Sequence, residues 1–234
     1  MHSMKILMVA ATNLELNTIL EHLNINNCSP DYNNFIYKRL NIDFVVTGIG
    51  LVFTSYQVAK SISNKNYDLI IEIGIAGSFN KNLQIGEIVN VTQEEFSDLG
   101  IESPAEFKTI FESNFINNNT FPFSDGKLIS KEFDNELIKQ IKQVKSISSN
   151  TAHGNALTIN NLMNKFNPDI ESMEGAAFFY VCLMEKVNFI EIRAISNYVE
   201  PRNVSNWNIP LAIKNLSGFI VMLLEDLGNK VLNS

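Results

Sequence analysis

The run Phe189-Ile190-Glu191-Ile192-Arg193-Ala194-Ile195-Ser196-Asn197 constrains the fold of this chain more than any other stretch. It is apolar over most of its length and ends in Ser-Asn. That is the pattern of a buried strand that delivers a polar side chain at its carboxyl end. In open α/β sheets, ligands bind in the crevice outside those strand ends. Just upstream, Ser172-Met173-Glu174-Gly175-Ala176-Ala177 leads into Phe178-Phe179-Tyr180-Val181-Cys182, which reads as a carboxylate at the mouth of a slim, apolar helix.

The rest of the chain fits around these two segments. Lys5 to Thr12 reads as a first buried strand, and Asn13 offers an N-cap for a helix striped by Leu14, Leu16, Ile19, Leu20 and Leu23. Glu15 falls in its first turn, where a carboxylate complements the helix dipole or serves chemistry at the strand end. Phe35 to Leu40 and Ile42 to Thr47 suggest a hairpin around Asn41. Gly48-Ile49-Gly50 then opens a helix over 52–62, either as a tight turn or as a close approach for a ligand.

Asp68 to Gly74 is a further buried strand, continued by Ile75-Ala76-Gly77-Ser78, small residues against which a ring or sugar can lie. Gly86 to Thr92 is another strand. From Gln93 to Lys127 polarity rises, yet Phe107, Phe111, Phe115, Phe121 and Phe123 need cover from the site or a neighbouring subunit. Helices are expected over 131–144, from near Asn160, and over 209–227. Strands and helices largely alternate without internal repeats. The expected architecture is therefore α/β, with a mixed central β-sheet flanked by helices in a single domain over 4–228, and with Met1-His2-Ser3 as an extension outside it.

Composition narrows the function. A chain of 234 residues that is 45% hydrophobic can bury one large core. Its net charge of −7 argues against nucleic-acid binding, which depends on Lys and Arg neutralising phosphates. Only 18% of residues are charged and 16 are Phe, which points to surface covered by a partner subunit or to a Phe-rich core. No apolar run approaches the about 18 residues of a membrane span. Cys28 and Cys182 lie far apart, with Cys182 in an apolar stripe as a buried free thiol, so a cytoplasmic location is expected. His2, His22 and His153 lack metal-ligand spacing, and no cofactor fingerprint is present.

Four motifs in order carry a resemblance: Ala10-Ala11-Thr12-Asn13-Leu14-Glu15, Gly74-Ile75-Ala76-Gly77, Ser172-Met173-Glu174-Gly175-Ala176 and Arg193-Ala194-Ile195-Ser196-Asn197. Together they resemble the purine nucleoside phosphorylase and nucleosidase superfamily, in particular its methylthioadenosine/S-adenosylhomocysteine nucleosidase branch, from Lys5 to Leu227. The resemblance implies a nucleoside phosphorylase-like fold, a small-molecule nucleoside substrate, no cofactor and a homodimer. It also implies that Glu15 activates water and that Glu174 accepts from the ribose hydroxyls with Met173 against the sugar. Ile49, Ala76, Gly77 and Ser196 would complete the binding surface. Leu157 and Thr158 fall where the family stacks an aromatic on the base and offers backbone groups to its edge; Leu157 is not aromatic, and Phe96 or another Phe is expected to substitute. The tail from Ile195 to Asn203, with Trp207, is similar to members that release hypoxanthine from a nucleoside bearing a benzoate-like group. Arg202, or a residue of the Gln93–Lys127 segment, then suits that carboxylate; Arg202 equally suits a salt bridge to Glu200.

The implied chemistry builds positive charge on the sugar and negative charge on the departing base. It needs a base for water, acceptors for the ribose and donors for the purine. The adenosine-cleaving branch carries Asp where this chain has Asn197. Hypoxanthine presents N7 and O6 as adjacent acceptors, and an amide NH2 is expected to donate to both, whereas an ionised Asp can only accept. Between Val9 and Leu23 no Arg or Lys is available for phosphate, and Glu72 stands where phosphorylases of the family tend to place Arg. A carboxylate there repels phosphate, so water is the expected nucleophile. Inorganic phosphate is accordingly predicted not to accelerate base release in a hypoxanthine assay; strong phosphate dependence would identify a phosphorylase instead.

Overall fold

The computed structural model describes residues 3–23, 35–104, 106–201 and 204–233. In chain order the elements are β1 (Met4–Ala10), α1 (Asn13–His22), β2 (Phe35–Tyr37), β3 (Leu40–Val46), α2 (Leu51–Asn64), β4 (Leu69–Ser78) and β5 (Ile88–Phe96). There follow β6 (Gly100–Glu102), β7 (Phe107–Thr109), β8 (Leu128–Ile129), α3 (Glu136–Gln140), β9 (Lys142–Ser148) and α4 (Ala156–Phe166). The chain ends with β10 (Ile170–Ser172), α5 (Gly175–Met184), β11 (Phe189–Tyr198) and α6 (Ile209–Asn233).

The main sheet runs β10-β9-β5-β11-β4-β1-β3-β2, and β10 also pairs with β4. Thus β10, β9, β5, β11 and β4 close into a ring, while β1, β3 and β2 extend from it. The mixture is set by the connections. β4 and β11 are parallel, as are β1 and β4, whereas β5 runs antiparallel to β11, and β10 runs antiparallel to β4.

Alternation along β4 and β11 divides the core. Leu69, Ile71, Ile73, Ile190, Ile192 and Ala194 face a layer completed by Leu16 and Ile19 of α1 and by Leu216, Ile220 and Leu223 of α6. On the opposite face Ile70, Ala76, Phe189 and Ile195 pack with Ala176, Phe178 and Phe179 of α5. Between those apolar ends the same face carries charge. In the β4–β11 register Glu72 is opposite Glu191, and Gly74 is opposite Arg193. All three charged residues are at most 2% exposed. Gly74 has a steric reason: a Cβ there would collide with Arg193 Nη1. Gly175 has a similar one, since a Cβ would strike the carboxylates of Glu94 and Glu191.

Several local expectations are corrected. Residues 142–148 form β9 rather than the end of a helix, because Asn135 caps only the short α3 and pairing with β5 and β10 takes over the following residues. Helix α4 starts at Ala156, earlier than expected, because the Asn155 side chain accepts from Leu157 N at 2.9 Å and Thr158 N at 3.3 Å. The hairpin turns at Lys38-Arg39 instead of Asn41, with Lys38 at φ 53°. Among the phenylalanines of the polar segment, Phe123 packs on Phe111, Phe96 and Tyr180, whereas Phe115 and Phe121 remain exposed.

The two kinds of glycine predict opposite responses. Gly74→Ala would displace a buried ion pair and is expected to destabilise the protein by about 3 kcal/mol. Gly218, in α6, has no neighbouring atom within 4 Å of an added Cβ. Gly218→Ala is expected to stabilise by about 0.5–1 kcal/mol, since it removes backbone freedom from the unfolded chain. Urea unfolding of the two variants checks both signs.

Candidate active site

The carboxyl ends of β1, β4 and β11 converge on a cavity of about 280 Å³, where the starts of α1 and α5 also arrive. Glu15, Glu174 and Asn197 all line it, although they are far apart in sequence. Ile49, Ala76, Gly77, Met173 and Ser196 line it as well.

Glu15 is placed by the local chemistry of a helix start. Thr12, rather than Asn13, is the N-cap, and it forms a reciprocal capping box with Glu15. Thr12 N donates to Glu15 Oε2 at 2.9 Å, and the Thr12 hydroxyl donates to the same oxygen. Burial raises the Glu15 pKa; the Thr12 hydrogen bonds and the Arg193 charge oppose that, and the Glu174 charge adds to it. A carboxylate moved toward neutrality is a better proton acceptor from water.

Glu174 occupies the N-cap of α5 without capping it. Its Oε1 accepts from Gly50 N at 3.1 Å, and its Oε2 accepts from Met173 N at 3.2 Å. Arg193 Nη1 lies 3.6 Å from Oε2. The carboxylate is therefore pinned from three directions while it still borders the cavity. The Gly48-Ile49-Gly50 turn, with φ of 89° and 106° at its glycines, brings the Gly50 N–H into place.

Asn197 arrives through a bulge. Ile195 is opposite Ala76 but Asn197 is opposite Gly77, so Ser196 is the extra residue. Bulges re-aim side chains beside functional sites. The Ser196 hydroxyl donates to Asn197 Oδ1 at 2.7 Å, which fixes the amide, and Asn197 Nδ2 donates to Tyr198 O at 3.1 Å. One amide hydrogen is thus committed to the backbone and one remains for a ligand. The expectation that both would reach the base is corrected.

Other expected residues lie elsewhere. Leu157 is 75% exposed, and neither it nor Thr158 borders the cavity, because both sit in the first turn of α4. Phe96 borders a different hollow with Phe111 and Lys165, and its ring packs edge-on against Phe123. Arg202 lies outside the described residues. In place of Leu157 and Thr158 the cavity is lined by Ala152 and His153. Glu171, also in the lining, accepts from His153 N at 3.1 Å and lies 2.7 Å from His153 Nδ1. Sequence reasoning missed this pair; recognising Asn155 as the cap of α4 would have moved attention to the residues before it. No group of residues suited to hold a metal occurs among the described residues.

Beneath the cavity, Arg193 Nε is 2.7 Å from Glu191 Oε1, and Nη2 is 3.0 Å from Glu72 Oε2. Glu94 Oε2 accepts from the Ser148 hydroxyl at 2.8 Å. Burial, then the charge of Glu191, pushes the Glu94 pKa well above its usual 4.5. The folded state therefore binds a proton more tightly than the unfolded chain. The resulting stability is fully present below about pH 4.5 and is lost as pH rises through the folded pKa. Glu94→Gln should raise the melting temperature at pH 8 and have little effect at pH 4, as calorimetry at the two pH values would show.

Comparison with known proteins identifies the family. The profile of the Phosphorylase superfamily matches residues 5–225. A futalosine hydrolase of Thermus thermophilus is 27% identical over 194 residues, covering 82% of this chain and 84% of its own. A 5'-methylthioadenosine/S-adenosylhomocysteine nucleosidase of Buchnera aphidicola is likewise 27% identical, covering 97% of this chain and 99% of its own. In structure, a Helicobacter pylori nucleosidase variant with 5'-methylthioadenosine in its active site superposes with a TM-score of 0.79 at 20% identity, over 95% of this chain and 99% of its own. With a matched profile spanning nearly its whole length, the chain belongs to the phosphorylase superfamily.

Proposed function

We propose that this chain is a purine nucleoside N-glycosidase that hydrolyses futalosine, releasing hypoxanthine and dehypoxanthine futalosine in menaquinone biosynthesis. The observation that carries this reading is the meeting of Glu15, Glu174 and Asn197 on one cavity, with an amide where a 6-aminopurine site would need an acid. The relatives supply the substrate class, since both act on purine nucleosides by their names.

The geometry supports a role for each residue. Glu174, held by Gly50 N and Met173 N, offers its remaining acceptor capacity to the ribose hydroxyls and lends negative charge to the developing cation. Glu15 takes a proton from water as the water oxygen bonds to C1′ and the C1′–N9 bond breaks. Asn197 gives its uncommitted N–H to the base. Ile49 and Leu14 are more than half exposed at the cavity edge, an apolar lip against which the aromatic substituent of futalosine can lie. The dimer expected from the resemblance is also a proposal; exposed Val52, Phe53 and Tyr56 on α2 are consistent with it.

A second reading is a methylthioadenosine/S-adenosylhomocysteine or aminodeoxyfutalosine nucleosidase, favoured by the equal 27% identity to the Buchnera enzyme. Incubation with futalosine, inosine and methylthioadenosine, with chromatography of the released base, separates the two. Hypoxanthine from futalosine with little adenine is the expected result, and preferential release of adenine would overturn it. Glu15→Gln is expected to lower kcat by about 10²–10⁴. The acidic limb of the wild-type kcat/KM profile should fall above pH 4.5, because burial raises the Glu15 pKa and water activation needs its ionised form.

A further inference from the structure

We propose that His153, held by Glu171, is the general acid that delivers a proton to the departing purine; this rests on the N-glycosidic reading above. A purine leaves most readily as a neutral molecule, so a proton must reach it while the C1′–N9 bond breaks. Asn197 has no proton to transfer, and one of its N–H bonds is already committed to Tyr198 O. Glu15 and Glu174 are occupied on the sugar side, one by the Thr12 capping box and one by Gly50 N and Met173 N. The other titratable side chains lining the cavity, among the described residues, are His153 and Glu171.

The pair is built for the task. Glu171 grips His153 at two points, with Oε1 3.1 Å from the backbone N–H and Oε2 2.7 Å from Nδ1. A carboxylate on Nδ1 holds that nitrogen as the protonated one and leaves Nε2 as the position that exchanges a proton. The sheet places the pair at the base end of the cavity. Glu171 of β10 and Asn197 of β11 are both in register with Gly77 of β4, from opposite sides. An added Cβ on Gly77 would lie 3.2 Å from Asn197 Nδ2 and 3.5 Å from Glu171 Cγ. The missing side chain lets the amide and the His–Glu pair address one ligand edge.

The step balances as follows. The water oxygen bonds to C1′, and Glu15 takes the water proton. The C1′–N9 electron pair passes to the base as His153 Nε2–H is transferred to it, yielding neutral purine and neutral imidazole still anchored through Nδ1–H. Proton exchange with solvent restores His153 and Glu15. Glu171 on β10 is in contact with the imidazole, Glu15 and Glu174 at the heads of α1 and α5 line the same cavity, and Asp98, after β5, accepts from Asn150 N at 2.9 Å in the loop that carries His153.

The test compares inosine with 7-methylinosine below the pH at which the latter loses its N1 proton, where its cationic base departs as a neutral molecule without a donated proton. His153→Gln is expected to lower kcat by about 10²–10³ on inosine and by no more than about fivefold on 7-methylinosine. Glu171→Gln, as a change to a positioning residue, should show the same split between the two substrates, which a merely structural loss would not. Equal losses on both substrates in both variants would overturn the role of His153 alone. A wild-type protein that releases no base from futalosine, inosine or methylthioadenosine would overturn the N-glycosidic reading, and the role of His153 with it.

Discussion

One guanidinium makes the interior of this protein tenable. Arg193 is 1% exposed and reaches Glu191, Glu72 and Glu174 with separate nitrogens. Burial by itself would lower its pKa, but the surrounding carboxylates more than offset that and hold it charged. Removing one partner from such a cluster leaves an uncompensated buried charge, which costs about 3–5 kcal/mol. The architecture accommodates the cluster at specific places: Gly74 opposite the guanidinium, Gly175 above the carboxylates, and a ring of strands that keeps water away. Through Glu174 the same guanidinium reaches the cavity. The stability of the core and the orientation of a site carboxylate are therefore parts of one electrostatic arrangement.

Much of this was legible in the sequence. Continuous apolar runs marked β1, β4 and β11 because strands buried on both faces show no alternation. The family resemblance carried by four ordered motifs grouped Glu15, Glu174 and Asn197, and all three line the cavity. Misreadings occurred where local pattern was weak and tertiary pairing decided the outcome. The expected helix over 131–144 took in Lys142 to Val144 by continuity, yet these residues begin strand β9 because β5 and β10 need a partner between them. Leu157 and Thr158 were expected from the family resemblance, but Asn155 starts α4 just before them and the cavity is lined by His153 instead. Phe96 was chosen for its aromatic ring, but Phe123 offered that ring an edge-on partner away from the cavity.

The charged layer was the least legible feature. Glu72, Glu191 and Arg193 appear in apolar runs as isolated interruptions, and each alone suggests a surface position. Only the parallel register of β4 and β11 puts Glu72 opposite Glu191 and Gly74 opposite Arg193. Pairing of buried charges is a property of register, which sequence periodicity specifies as a face and not as a partner.

The closure of β10 onto β4 also bears on tolerance. Glu171, Gly77 and Asn197 sit on adjacent strands locked by backbone hydrogen bonds, so the two side chains cannot spread without breaking the ring. The opposite lip is formed by Leu14, in the first turn of a helix, and Ile49, in a glycine-flanked turn. A site built in this way is strict about the ring system it accepts and permissive about what hangs from the sugar. Diversification within such a scaffold would then proceed by trading substituents at the lip while the heterocycle stays the same.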